Sequence, residues 1–338
     1  MERAHEQPGD VAAPPHRVLL TGATGFVGSH AAEALVQAGY QVRALVRSRE
    51  RAQALEARGI DFVVGSLEDE PALRAACVGI DAVVHLAALT HARSDDDYEN
   101  TNVGGTRTLL DVAIGARVHR FVYLSSLAAC GPAVDGRGVR DGDPPRPLTQ
   151  YGRSKLAGER VCMEAGDRIE VVVLRAPAVY GPRDTDLYHF FRLARTGVIP
   201  VPTGPPRRLQ MVHVTDLARA LVLAVRAPAA AGVYHIADPQ SYAWDEVGRM
   251  VGDAVGRKVR VLRVPAALIA GLAAVSETVS GLAGRSSIFN RDKARELLAP
   301  GWLCETDKAR AALNFETGIP LADGLRMTAQ WYREQNWL

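Results

Sequence analysis

Tyr151 and Lys155 stand four residues apart in Gln150-Tyr151-Gly152-Arg153-Ser154-Lys155-Leu156. On a helix, four residues rise about 6 Å and return to the same face, which puts a phenol one turn from an ammonium. An isolated tyrosine, with a pKa of about 10, is a poor base near neutral pH. A neighbouring ammonium favours the phenolate and brings the group toward the working range, making it a usable acid or base. The lysine can also hold the ribose hydroxyls of a nicotinamide cofactor. With nine tyrosines and four lysines in the chain, chance gives about 0.1 pairs at this spacing. The pair gains its weight from its place, at the start of a helix that follows the fifth predicted strand.

Two serines and an asparagine belong to the same chemistry. Ser125 and Ser126 follow the strand Phe121-Val122-Tyr123-Leu124. Parallel sheets bind ligands at the carboxyl ends of their strands, and a serine there can donate to an oxygen that gains charge. It can also do no more than cap the strand end, the more so for Ser125. Asn102 opens the helix expected over 102–114. It is either that helix's cap or the holder of a water that relays protons to Lys155.

A second constellation, Thr21-Gly22-Ala23-Thr24-Gly25-Phe26-Val27-Gly28, follows the first apolar run. Gly22, Gly25 and Gly28 form GxxGxxG between a strand and a helix. Glycines there allow a tight turn and a close approach of backbone to pyrophosphate, with the helix N-terminus facing the negative charge. The plain alternative is a turn that only packs helix on strand; the strand-loop-helix context favours a dinucleotide site. The second strand ends Val42-Arg43-Ala44-Leu45-Val46-Arg47-Ser48, without the carboxylate that receives an NAD ribose. Arg47, assisted by Ser48 or Arg51, could pair with a 2′-phosphate. The reading favours NADP(H) with NAD(H) as the alternative, against a merely solvated arginine.

These residues need a frame. Short apolar runs at 17–21, 41–46, 61–64, 82–87, 120–124 and 170–174 alternate with helical stretches to about 38, then 51–58, 71–77, 102–114 and 151–164. That order implies right-handed βαβ units, hence an α/β, doubly wound parallel sheet of the Rossmann type. After Ala176, prolines 177, 182, 200, 202, 205 and 206 break the regularity. The division expected is a tail at 1–16, a cofactor domain at 17–176 plus about 208–236, and a smaller C-terminal substrate lobe at 177–207 plus 237–338. Segments 209–224 and 232–237 are expected to return to the sheet.

Composition narrows the class. The 338 residues are 47% hydrophobic and 23% charged, enough for a large soluble core, and the net charge of +2 gives no footprint for nucleic acid. Cys77, Cys130, Cys162 and Cys304 are far apart and form no CxxC pair, which suits free thiols in a reducing cytoplasm. No metal site is read. The tail lacks a signal peptide's apolar core. The apolar stretch 264–283 is interrupted by Ser276, Glu277, Thr278 and Ser280, which disfavours a spanning helix. Within it Leu268, Leu272, Val275, Val279 and Leu282 recur at helical spacing. Such a stripe packs in the lobe or on a partner, or forms a lid over a lipophilic substrate or a peripheral membrane contact.

The motifs together resemble the extended short-chain dehydrogenase/reductase superfamily, the NAD(P)-dependent epimerase/dehydratase group. The resemblance covers about 17–240 and rests on TGATGFVGSH (21–30), VVHLAA (83–88), NVGGT (102–106), FVYLSS (121–126), YGRSK (151–155), LRAPAVYGP (174–182) and VHVTD (212–216). It implies Ser126, Tyr151 and Lys155 as a catalytic trio. It places Pro177 and Val179 beside the nicotinamide and Leu86, Ala87 and Ala88 along the adenosine and ribose. The strand 42–47 resembles that of NADP-binding dihydroflavonol-type reductases. Ser66 and Leu67 stand where the family contacts adenine, although Ser66 replaces its usual aspartate. In many relatives the helices at 102–115 and 151–165 pair two copies, so a homodimer is implied.

Departures from the family refine the expectation. Leu127 and Ala128 replace the Asp-Glu pair of dehydratases. Ala178 replaces the asparagine with which epimerases contact a diphosphate, although Arg208 before Val212-His213-Val214 partly keeps their pattern. The segment 234–247 resembles the 3β-hydroxysteroid dehydrogenase and ketoreductase branch. The function expected is interconversion of a carbonyl and a secondary alcohol on a small lipophilic substrate, sterol-like, 3-oxo lipid or polyketide-like. The alternatives are a nucleotide-sugar epimerase without net redox, and a non-catalytic NADP(H)-sensing protein.

Overall fold

The computed structural model describes residues 16–338 apart from 93, 135, 228–230 and 283–288. All of the expected tail but His16 lies outside the described residues. The chain begins β1 (Arg17–Thr21), α1 (Phe26–Gln37), β2 (Gln41–Val46), α2 (Arg49–Glu56), β3 (Asp61–Val64), α3 (Glu70–Cys77) and β4 (Ala82–His85). It continues through α4 (Asp95–Tyr98), a π-helical turn (Glu99–Gly104), α5 (Gly105–Gly115), β5 (Arg120–Ser126), α6 (Gln150–Glu164) and β6 (Glu170–Ala176). The second part contains β7 (Ala178–Tyr180), α7 (Tyr188–Arg195), β8 (Val198–Pro202), β9 (Arg208–Leu209), β10 (Met211–His213), α8 (Val214–Arg226) and β11 (Gly232–His235). It ends with β12 (Tyr242–Ala243), α9 (Trp244–Val255), β13 (Arg260–Val264), α10 (Ala266–Leu282), α11 (Arg291–Leu298), β14 (Gly301–Trp302), α12 (Asp307–Leu313) and α13 (Leu321–Glu334).

Seven parallel strands form one sheet in the order β11-β6-β5-β4-β1-β2-β3. The strands read as unbroken apolar runs because both faces are covered. Side chains alternate between two cores. Val18, Leu20, Val84, Val122, Val172 and Leu174 face the layer of α1 and α8. Leu19, Val83, Phe121, Tyr123, Val171 and Val173 face the layer of α3, α5 and α6. This is the expected Rossmann-type α/β fold.

The second part gathers around Phe191, Ile199, Val247, Leu325 and Tyr332, with α7, α9 and α13 about three small sheets. Three expectations change here. Segment 209–224 does not rejoin the main sheet; it supplies β10, which pairs with β7, and α8, which covers the sheet's face. The apolar period of 217, 220, 221, 224 and 225 is helical, and it buries against α1. Residues 307–315, expected in the lobe, send Ala309, Leu313 and Phe315 into the main core. The helix expected from Asn102 begins earlier, at Asp95, where Ser94 and Asp97 form a capping box.

Candidate active site

The glycine loop is shaped by contact. Gly22 has φ +76°, and a Cβ there would meet the Ala87 backbone nitrogen at 2.9 Å. A Cβ on Gly28 would lie 1.9 Å from the Gly22 carbonyl oxygen. Gly25 caps α1 without a side-chain hydrogen bond, so the first-turn N–H groups at Phe26 and Val27 keep their capacity for an anion. Thr24 and Gly25 are exposed at the loop's tip. A cradle that only glycine fits, closed by an uncapped helix, suits a dinucleotide pyrophosphate. Leu86, Ala87 and Ala88 continue from β4 beside Gly22, the Ala87 N–H donating to Thr21 Oγ1 (3.2 Å). Arg47 is exposed at the end of β2 and has no ion-pair partner among the described residues. Ser66 accepts from the Glu68 N–H (3.2 Å). Leu67 does not turn its side chain outward as a ligand; it is buried against Gly105, leaving only its backbone for a cofactor. Pro177 and Val179 are half-buried beyond β6.

Opposite the loop, two glycines draw α6 against the sheet. Cβ atoms on Gly152 and Gly158 would each lie 2.4 Å from a neighbour, the Ala128 carbonyl oxygen and the Tyr123 hydroxyl. Thr149 caps the helix by accepting from the Gly152 N–H (3.1 Å). The approach brings Ser126 beside Tyr151, where its hydroxyl favours the phenolate. Burial raises the Tyr151 pKa far more than Ser126 lowers it, and Glu296 adds to the rise. The phenol is therefore a protonated acid at neutral pH. Lys155 lies one turn along the same helix. Its ammonium, 3% exposed, sits over the Tyr123 ring at 4.1 Å, and burial lowers its pKa to about 8.

Two buried networks hold this arrangement. Thr106 Oγ1 donates to the Asn102 carbonyl oxygen (2.7 Å), and the Ala87 N–H donates to Thr21. His85 between them must then accept at Nδ1 from Thr21 (2.7 Å) and donate from Nε2 to Thr106 (3.0 Å). Burial, with Lys155 adding, lowers its pKa to about 3, which keeps the ring neutral as the chain requires. The other network is charged. Glu159 forms a two-point pair with Arg175 (2.9 and 2.6 Å) and accepts from Ser125. Ser125 is thus part of a buried ion pair, which leaves Ser126 as the serine beside Tyr151.

Asn102 is not a helix cap. It lies inside the π-helical turn, and its amide clamps the Leu89 backbone (2.7 and 3.0 Å) and Ser154 Oγ (2.9 Å). It ties the loop after β4 to the catalytic helix. Sequence reasoning missed the Glu159–Arg175 pair and Tyr98, whose ring lies 6.3 Å from that of Tyr151. It also missed α11, where Asp292 accepts from the Gln150 N–H (3.0 Å). The Gly152 of the Tyr-Gly pair was a usable signal of close packing. His213 caps α8, its Nδ1 accepting from the Thr215 N–H (3.3 Å), and stacks edge-on with Tyr180.

Known proteins resemble this chain along most of its length. The family model described as "NAD dependent epimerase/dehydratase family" matches residues 18–237. A ceramide reductase of Caulobacter vibrioides is 34% identical over 324 residues, 95% of this chain and 96% of that protein. A 4-hydroxy-2-methyl-3-oxo-4-farnesyl-3,4-dihydroquinoline-1-oxide ketoreductase of Stigmatella aurantiaca is 30% identical across 83% of this chain and 91% of its own. The solved structure of MoeE5 with UDP-glucose and NAD is 26% identical, with TM-score 0.75 over 95% of this chain and 99% of that one. These relatives include two reductases and a protein solved with a sugar nucleotide and NAD. With its glycine cradle, its parallel sheet and this match along two thirds of its length, the chain belongs to the NAD-dependent epimerase/dehydratase family, as an NAD(P)-dependent enzyme of the extended short-chain dehydrogenase/reductase type.

Proposed function

We propose that the protein is an NADP(H)-dependent oxidoreductase that interconverts a carbonyl and a secondary alcohol on a lipophilic substrate, with a 3-oxo lipid as the first candidate. The observation that carries the reading is the half-buried, protonated Tyr151 beside Ser126, at the carboxyl edge that also holds the glycine cradle. The bound nicotinamide supplies or accepts the hydride. Tyr151 donates its proton to the carbonyl oxygen, and Ser126 donates a hydrogen bond to the same oxygen as charge grows there. Lys155 replaces the lost proton's field with its ammonium and holds the cofactor's ribose. Asn102 acts as a positioning residue through Leu89 and Ser154.

Gly22, Thr24, Gly25, Phe26, Val27 and Gly28 would hold the pyrophosphate, and Leu86 to Ala88, Pro177 and Val179 the nucleosides. Arg47, exposed and without an acidic partner, supports a 2′-phosphate. In this reading the main-sheet body takes the cofactor and the elements around α7, α9 and α13 take the substrate. A lipid rather than a sugar nucleotide is supported by the whole-length likeness to a ceramide reductase. It is supported also by Arg208, whose guanidinium is tied to Ser241 and Glu246. Pairing of two copies through α5 and α6, a cytoplasmic setting for four buried free thiols, and peripheral contact with membrane complete the proposal. Among the described residues no helix is long and apolar enough to cross a membrane.

The test is reduction of a 3-oxo lipid amide with NADPH, followed by absorbance and by product mass. A product two hydrogens heavier is expected. Tyr151→Phe should lower turnover by about a thousandfold while NADPH still binds. Full activity in that variant would remove the assignment. Arg47→Asp should weaken NADPH more than NADH, and equal losses would remove the preference for NADP(H).

A further inference from the structure

The stripe on α10 faces outward. Leu268, Leu272, Val275 and Val279 are between 53% and 62% exposed. Along the helix they span about 17 Å on one face. The opposite face already has its core, with Ile269 and Ala273 buried against Ala294 of α11. The lobe therefore does not use the stripe to fold.

The strand that leads into the stripe is basic. β13 enters α10 through Pro265, whose carbonyl oxygen accepts from the Leu268 N–H (3.0 Å). On that strand Arg260 and Arg263 flank Leu262, itself 55% exposed. Arg263 touches Asp245 at 3.7 Å with half its side chain still exposed. Glu277, the single acid of α10, is occupied by Arg291 at the start of α11 (3.1 Å to its N–H). An exposed apolar stripe with two exposed arginines on the strand that leads into it complements a bilayer with anionic headgroups, the apolar side chains entering the acyl boundary and the guanidiniums meeting phosphates.

The same hairpin reaches the catalytic helix. Asp292 on α11 bonds the Gln150 N–H, and Glu296 accepts from Thr149 Oγ1 (3.4 Å), one and two residues before Tyr151. We propose that the outer face of α10, with Arg260 and Arg263, docks on an anionic phospholipid bilayer and places the catalytic cleft beside the membrane from which substrate is drawn. The second half of this statement rests on the lipophilic-substrate reading; the docking itself does not.

Flotation of the full chain with vesicles of phosphatidylcholine, alone or mixed with phosphatidylglycerol, tests it without reference to activity. The protein is expected to float with the mixed vesicles. Leu272→Glu/Val279→Glu should lower the bound fraction about tenfold or more, and Arg260→Ser/Arg263→Ser should lower it less and only on the mixed vesicles. Failure of the wild-type protein to float, or unchanged flotation of the first variant, overturns the docking. So does conversion of a dimer to a monomer by that variant, which would assign the face to a second copy. A short, water-soluble 3-oxo amide separates the two readings. Both proteins should reduce it equally, while a long-chain 3-oxo lipid in vesicles should be reduced more slowly by the variant. If neither ketone is reduced but flotation follows the expected order, the docking stands and the proposed reaction falls.

Discussion

The glycine loop and the outer face of α10 are built to opposite tolerances. At the loop, one added carbon on Gly28 meets a carbonyl oxygen at 1.9 Å. On α10, Val275 and Val279 stand more than 60% exposed among the described residues. The loop and the networks behind it are fixed from within, where nearly every buried polar group has a partner. The stripe is constrained only by what it meets outside. Apolar content alone does not tell the two apart; the backbone's closeness does.

The largest effect expected is at the loop. Gly28→Ala should cost about 4 kcal/mol, because the Gly22 carbonyl must move to make room. Thermal denaturation would register it, and NADPH titration should show binding lost with it. A mild effect would mean that the loop yields, and the contrast with α10 would collapse. Glu159→Gln should cost about 3 kcal/mol, since it leaves Arg175 charged without its counterion in a buried site. Denaturant unfolding measures that loss, and Arg175→Met/Glu159→Leu should recover part of it.

Lys155 sharpens the comparison through pH. With its pKa lowered to about 8, it carries charge below that pH and loses it above. The reduction rate should be level below pH 8 and then fall about tenfold per unit. Stability of the cofactor-free protein should move the other way. Between pH 8 and the ordinary lysine value of about 10.4, the unfolded chain holds the proton that the folded one has released, so stability rises with pH. A reduction rate independent of pH up to 10 would remove Lys155 from the mechanism. The smallest effect is on α10, where Leu272→Ala should change stability by less than about 0.5 kcal/mol. A loss of several times that in the isolated chain would mean that the stripe is packed, not presented.

Much of the cofactor side was legible in the residues. Strands buried on both faces read as runs of Val, Leu and Ala, and the glycines and the Tyr-Lys spacing follow from contacts local in sequence. Other parts depend on contacts distant in sequence. Glu159 and Arg175 carry no local sign of a shared role, because their pairing joins α6 to β6. Asn102 stayed open between a cap and the holder of a relay water, because a helix start and a helix interior look alike when the preceding turn is acidic, Asp95 to Asp97. The helical period on α10 was correct, but period alone does not say which of two apolar faces turns inward. Ile269 and Ala273 are the smaller set, and they win because α11 already lies against them.

The π-helical turn at Glu99–Gly104 has a consequence for changes of chain length. An i to i+5 turn holds one residue more than the helix on either side needs. Deleting a single residue there would restore regular winding, and by local propensity alone the segment would gain. The flanking faces would keep about the phase they have, because the wide turn absorbs its extra residue instead of passing it on as a rotation of about 100°. What would be lost is the local widening that carries Asn102, whose amide holds Leu89 and Ser154. The turn thus lets the segment hold a surplus residue without turning either helical face. It places that surplus at the clamp between the loop after β4 and the catalytic helix.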